Sequence, residues 1–492
     1  MDRQPSGSDR PTGAEMPLGS APVGTDPRDG SPAAAPVGVQ NPDKPRPGIT
    51  PSWDPFILCA LLALILFDAL TAWGWVALTD GAALLVASGL YLSKSTGGGR
   101  WFAVALAAGS AALALSARIP LGDVLAAATN GGQVLGFLLL VEVLGLALQT
   151  GRYDEGLTGL LARGAPGAAS RLRAARIGSF ALSLCGMFMG AVPAAFYALG
   201  GRPGRADLPL AIAATRGFGA SVLVNPVSPL VLLALAASGA SLFPYLVSAL
   251  PVAMLLLALD AYSSGRGEPA PHDPAPATEA RPWRRGQTAG CVAAIVGAAI
   301  VYRAVGTFGV AVLPRIGLAV CAGGLGLGLA APARFASGLR ALPRDRFLSH
   351  RGSVPFFTLG GMFGTLLVGS RFLDPLLAAL SRLQLPLLEF PLIVALIVGF
   401  RWLGLAPVIS LLILGPLFAP AVSLSPKVYT LALTFGGVAG FLGSPLSGTN
   451  LFVASVSGVS PFHIALRIQA RYVAIAVAIT SLYAMGLTRW FG

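Results

Sequence analysis

The sequence predicts an all-α polytopic membrane protein with about 11 transmembrane helices and two re-entrant hairpins, arranged as two inverted-topology repeats with broken helices. Three observations predict it. The 492 residues are 54% hydrophobic and 11% charged, and the charges fall mostly between long apolar runs. The chain overlays on itself when shifted by a fixed interval, and its Lys and Arg are distributed unevenly between alternate loops.

From the start of the chain, residues 1–52 are rich in Pro, Gly, Ala, Ser and Asp, without the apolar core of a signal peptide. They read as a disordered cytoplasmic tail. Apolar runs then recur at 55–72, 73–93, 101–117, 131–150, 207–240, 243–260, 288–305, 310–330, 353–370, 426–458 and 468–488. Each approaches or exceeds what about 30 Å of hydrocarbon requires. A polar, Pro-rich stretch at 263–287 divides a first half (53–262, with repeat 1 beginning near 73) from a second (288–492, repeat 2). It reads as a cytoplasmic linker.

A shift of 219 places residues 213–243 on 432–462 with 12 of 31 positions identical, among them Thr215/Thr434, Gly217/Gly436, Pro226/Pro445, Ser228/Ser447 and Gly239/Gly458. The same shift pairs Gly145 with Gly364 and Arg152 with Arg371. A shift of 214 aligns 181–193 with 395–407, so that Gly190 meets Gly404 and Pro193 meets Pro407.

Loop charge sets the orientation of the copies. With the tail inside, the cytoplasmic segments hold 20 Lys and Arg and the outer ones seven. The segment 152–176 carries five Arg and its repeat at 371–382 carries two, as expected if the copies face opposite sides. The N-terminus is then cytoplasmic and the C-terminus periplasmic, in a bacterial inner membrane. The net charge of +13 belongs to these short loops and not to a basic helix with interleaved aromatics, so nucleic acid is not expected as a partner. The four cysteines and three histidines lack metal or disulfide spacing, and no catalytic constellation of His, Asp or Cys is present.

Chemistry concentrates where the duplicated helix breaks. The first copy reads FGASVLVNPVSPLVLLALAASG and the second GVAGFLGSPLSGTNLFVASVSG. Proline interrupts the hydrogen-bond ladder, and freed backbone groups in lipid persist only where they are buried in protein or line a cavity. Asn225, Pro226 and Ser228 in one copy, and Ser444, Pro445, Ser447, Gly448, Thr449 and Asn450 in the other, are the expected substrate-binding residues. Proline kinks stabilised by Ser and Thr are the competing reading. Gly190 with Pro193, and Gly404 with Pro407, sit in segments whose arms have only about 11 residues, half a bilayer, and read as hairpin tips. Arg216 and Arg401 are expected to neutralise an anionic solute, or else to snorkel or pair with an acid. Glu142 is the expected carrier of a coupling proton or cation, with Asp68 and Asp80 behind it.

A broken helix with a Ser/Pro/Asn/Thr cluster, a preceding half-length hairpin and an inverted second copy resemble the ion transporter superfamily, which includes dicarboxylate/sodium symporters, arsenite permeases, and C4-dicarboxylate and lactate permeases. The resemblance covers the architecture of residues 73–490. The hairpin tips read GAVP and GLAP in place of the Ser-Asn-Thr signature of the dicarboxylate/sodium symporters. The resemblance implies a secondary active transporter for a small anionic solute, without an enzymatic activity or a resident cofactor. It further implies Na+ or H+ coupling, an elevator-type mechanism and a homodimer in the lipid bilayer. A membrane scaffold or accessory subunit, or a lipid-modifying enzyme, are the alternatives.

Overall fold

Long apolar stretches with little charge satisfy their backbone internally, and the computed structural model is accordingly helical throughout, with no strand among the described residues. It describes residues 53–71, 73–94, 98–153, 155–156, 159, 161, 167–202, 204, 207–264, 285–375, 377–378, 386–403 and 405–491. The tail and most of the 263–287 linker lie outside these.

In the first half, α1 (Asp54–Thr71), α2 (Gly74–Lys94), α3 (Gly98–Ser116) and α4 (Leu121–Thr150) precede a bent pair, α5 (Ala168–Leu182) and α6 (Ala191–Ala198). A helix in two pieces follows, α7 (Leu208–Val224) and α8 (Pro229–Ser238), and then α9 (Leu242–Ser264). The second half has α10 (Arg285–Gly306), α11 (Val312–Gly328), α12 (Pro332–Asp345) and α13 (Val354–Gly369). Another bent pair comes next, α14 (Pro386–Trp402) and α15 (Pro407–Phe418). A second two-piece helix, α16 (Pro426–Gly443) and α17 (Gly448–Ser457), leads through a π-helical segment, Ile464–Gln469, into α18 (Ala470–Phe491). Among the described residues, nine stretches are long and apolar enough to cross a membrane: α1, α2, α4, α7–α8, α9, α10, α12–α13, α16–α17 and the segment ending in α18. Of the eleven expected spans, the remaining two appear as the shorter apolar helices α3 and α11.

The duplication is visible in the backbone. Both broken helices end on a left-handed glycine with identical dihedrals, Gly239 and Gly458 at φ 68, ψ 10. Arg152 and Arg371, also 219 apart, both take the left-handed region just beyond their helices, with φ of 55 and 56. Repeat-equivalent helices cross antiparallel. Gly219 lies against Leu442, Leu230 against Gly437, and Ser238 bonds Thr430 at 2.6 Å, so numbering rises on one broken helix as it falls on the other. Helices α4 and α13 do the same: Asn130 bonds Thr365 (2.9 Å), Gly131 meets Gly361, and Glu142 meets His350 (2.9 Å).

Both bent pairs are hairpins. Arg171 Nε donates to the Leu199 carbonyl (3.0 Å) at the base of the first, and Ser423 donates from its amide and its hydroxyl to the Glu389 carboxylate (2.9 Å each) at the base of the second. The second reverses where expected, between Trp402 and Pro407. The first reverses earlier than Gly190–Pro193. Gly186, at φ +93, and Phe188, at φ 44, turn the chain, and Pro193 is already the third residue of α6, where its missing N–H costs nothing. The largest apolar core joins the hairpins, both broken helices, α9 and α18 and extends onto α4, α11 and α13; of two smaller cores, one knits α1, α2 and α4 to α11–α13 and the other joins α3, α4 and α13 to α15.

Candidate functional site

Each break is an extended residue between two helical pieces. Asn225 has φ −82, ψ 108 and Ser444 has φ −102, ψ 131, and each is followed by proline, which cannot donate to the preceding turn. Ser228 and Ser447 then occupy the N-cap positions of α8 and α17, and of the two it is the Ser447 hydroxyl that caps, accepting from the Asn450 amide at 3.1 Å. Asn225, Ser228, Ser444, Pro445, Ser447, Thr449 and Asn450 are buried, and Pro226 and Gly448 are half-buried.

The structure ties each break to the hairpin of its own repeat. Asn225 Nδ2 donates to the Ser183 carbonyl (2.9 Å) in the first hairpin, and its Oδ1 accepts from the Val227 amide (3.1 Å). In the second copy, Ser444 Oγ donates to the Arg401 carbonyl (3.3 Å), and the Arg401 guanidinium reaches back to the Leu446 carbonyl (2.7 Å). Its other terminal nitrogen bonds Leu405 (3.2 Å), across a tip whose Gly404 lies outside the described residues. Pro407, buried, begins the return arm, whereas Gly190 in the first hairpin is exposed.

The second break carries more side-chain chemistry than the first. Its carbonyls are taken by protein donors: Thr449 Oγ1 bonds Phe441 (2.9 Å), and Asn450 Nδ2 bonds both Leu442 (2.7 Å) and Ser444 (2.9 Å). Two groups are left over, both buried, with no hydrogen-bond partner: Asn450 Oδ1 and Arg401 Nε. Ser183 Oγ, beside the first break, is in the same condition. Arg401 is 9% exposed, and no carboxylate lies within ion-pair distance of it among the described residues. The first turns of α8 and α17 add the positive ends of two helix dipoles. The spare donor, Arg401 Nε, is cationic and favours a negative charge at the second break, whereas Asn450 Oδ1 remains an open acceptor beside it.

The other charged candidates sit elsewhere. Arg216 is bound within a buried network: Asp260 at 2.7 Å, Gln469 Oε1 at 2.9 Å, Ser263 at 3.1 Å and the Tyr472 ring at 4.2 Å from the guanidinium carbon. Arg176 from the first hairpin meets the same carboxylate at 2.5 Å. Sequence reading passed over Asp260, Arg176 and Gln469, although an acid in the apolar run of α9 met the criterion that selected Glu142. Glu142 itself bridges Arg346 (3.0 Å) and His350 (2.9 Å) on the stretch joining α12 to α13.

No family model matches the sequence, and no curated protein does. Among solved structures the chain is similar to the YdaH transporter of Alcanivorax borkumensis, whose crystal structure is described as revealing an unusual topology. The match has a TM-score of 0.52 at 16% identity and covers 73% of this chain and 86% of that one. At that identity the likeness is one of fold alone, that of a multi-pass helical membrane protein.

Proposed function

We propose that the protein is a secondary active transporter for a small anionic solute, bound where the hairpins meet the broken helices. The observation that carries this reading is Arg401, a buried guanidinium at the second break with one nitrogen unbonded and, among the described residues, no acid beside it. A buried guanidinium held by neutral carbonyls keeps a charge that no counter-charge offsets, so the site is suited to an anionic ligand that completes it. Antiparallel crossing of both pairs of equivalent helices supports an inverted repeat, and in such a repeat the breaks are expected near the bilayer midplane. We infer an elevator mechanism from the tie between each hairpin and its broken helix, Asn225 to Ser183 and Ser444 to Arg401, which suits the two to move together against the remaining helices. We take the protein to be a homodimer in a bacterial inner membrane, coupled to Na+ or H+.

Counterflow in proteoliposomes, screened with small carboxylates and inorganic oxyanions, tests the proposal. Transport of at least one such anion is expected. Asn450→Ala, in protein that remains inserted, should weaken the affinity by about 5-fold to 150-fold, because removing the amide unpairs the Leu442 and Ser444 carbonyls along with any ligand group it meets. Unchanged transport and unchanged substrate-induced thermal stabilisation in both Asn450→Ala and Asn225→Ala would reduce the breaks to kinks. A complete absence of anion counterflow would favour the scaffold reading.

A further inference from the structure

We propose a second site, independent of the carrier reading, for the phosphate of an anionic phospholipid. Its head is a cavity of about 320 Å³ formed by three segments distant in sequence: Thr150, Gly151, Arg152, Glu155 and Gly156 at the end of α4 and beyond it, Gly286 and Gln287 in the first turn of α10, and residues 330–334 at the start of α12. All three belong to segments whose charge predicts a common, cytoplasmic face, and the fold brings them together.

The cavity is built to present positive charge. Buried Gln287 donates to the carbonyls of Gly151 (3.0 Å) and Arg152 (3.1 Å), which fixes the left-handed turn that carries Arg152. Tyr153 bonds the Leu327 carbonyl (3.2 Å) and anchors that turn to the end of α11. Across the cavity, α12 starts on Ala331, which supplies no side-chain cap, followed by Pro332, and Arg334 stands in its first turn. Two guanidinium groups therefore face one space together with an uncapped helix end. Glu155, 3.8 Å from Arg152, offsets part of the charge without cancelling it.

The surface adjoining the cavity indicates that the phosphate belongs to a lipid. Helix α10 is the least covered of the candidate spans, and from the cavity it exposes Val292, Ile295, Val296 and Ile300. Leu329, the residue before the Ala330 wall, is 66% exposed, and Leu325 one turn earlier is also exposed. A cationic head site at the end of an uninterrupted apolar strip matches a phosphodiester with its acyl chains laid along α10 and α11. Free phosphate would use the cavity alone.

The test is thermal stabilisation and native mass spectrometry of the full-length protein in detergent. Three probes are compared: phosphatidylglycerol, phosphatidylcholine with the same acyl chains, and inorganic phosphate. Phosphatidylglycerol should stabilise the protein and stay bound, phosphatidylcholine should do so much less, and inorganic phosphate should have little effect. Arg152→Gln combined with Arg334→Gln should weaken phosphatidylglycerol retention by about 30-fold. Arg334→Gln alone, at an exposed position, should show about a fivefold loss and serves if the double variant does not fold. Equal stabilisation by both lipids, the full effect from inorganic phosphate, or unchanged retention in folded Arg334→Gln would each overturn the proposal. So would a loss of dimer in the variants without any change in lipid binding, which would make this face a contact between two copies.

Discussion

Three buried or half-buried ionic arrangements show how differently one charge type can be used within a single chain. Arg216 and Arg176 share Asp260, whose side chain is fully buried, so the acid holds two guanidinium groups from different elements. Asp260→Asn leaves both without compensation and should destabilise the protein by about 3–5 kcal/mol, read as a lower unfolding midpoint in detergent. Glu142 holds Arg346 and His350 at side-chain exposures near 20%, where water screens the pair, so Glu142→Gln should cost about 1 kcal/mol or less. Arg401 differs from both in having carbonyls for partners and, among the described residues, no acid. A hydrogen bond to a charged group is worth about 1.5–3 kcal/mol, so Arg401→Gln should raise the Kd for the transported anion by about 10-fold to 150-fold. Equal affinities of variant and parent in a binding titration would assign Arg401 to capping the Leu446 carbonyl only.

At the scale of elements, much of the fold was legible because it is governed by local patterns. Apolar length gives the spans, proline gives the breaks at Asn225 and Ser444, and the 219-residue register gives their pairing. The first hairpin was placed correctly but its turn was not. Gly186 and Gly190 are both glycines in an apolar run, and only the packed structure selects the one that takes φ +93. The network around Asp260 was illegible for another reason: its partners lie 44 and 84 residues away, and no periodicity links them. The crossing of α4 and α13 likewise depends on glycines that carry no signal alone. A Cβ on Gly361 would lie 2.5 Å from the Gly131 nitrogen, so Gly361→Val must push the helices apart. The cost should be about 1–3 kcal/mol, seen as a lower melting temperature, while Gly369→Val, at an open position on the same helix, should leave stability nearly unchanged. Equal melting temperatures for the two variants would show that the crossing is loose.

For the whole molecule, the question is whether antiparallel crossing in the fold corresponds to inversion across the membrane. Helices α4 and α13 end in the same manner, on Arg152 and Arg371 in the same left-handed conformation, yet they run in opposite directions against each other. If both span the bilayer, those two ends emerge on opposite sides. The charge supports this, since the stretch 152–176, Arg152 included, holds five Arg and its repeat 371–382, Arg371 included, holds two. Glu155 and Asp374, again 219 apart, are exposed just beyond the two turns and mark the two ends. In a background with Cys59, Cys185, Cys291 and Cys321 replaced, Glu155→Cys should react with a membrane-impermeant maleimide only when the cytoplasmic side is open, and Asp374→Cys in intact cells with a permeabilised outer membrane. A parallel duplication predicts that both label from one side. That result would require an odd number of crossings in place of the even number now counted between α4 and α13, and it would separate the two breaks that the proposed site depends on. Labelling from opposite sides leaves inversion as the arrangement consistent with both the charge asymmetry and the helix crossings, and it fixes the Arg152 cavity on the cytoplasmic face, where anionic lipid would be met.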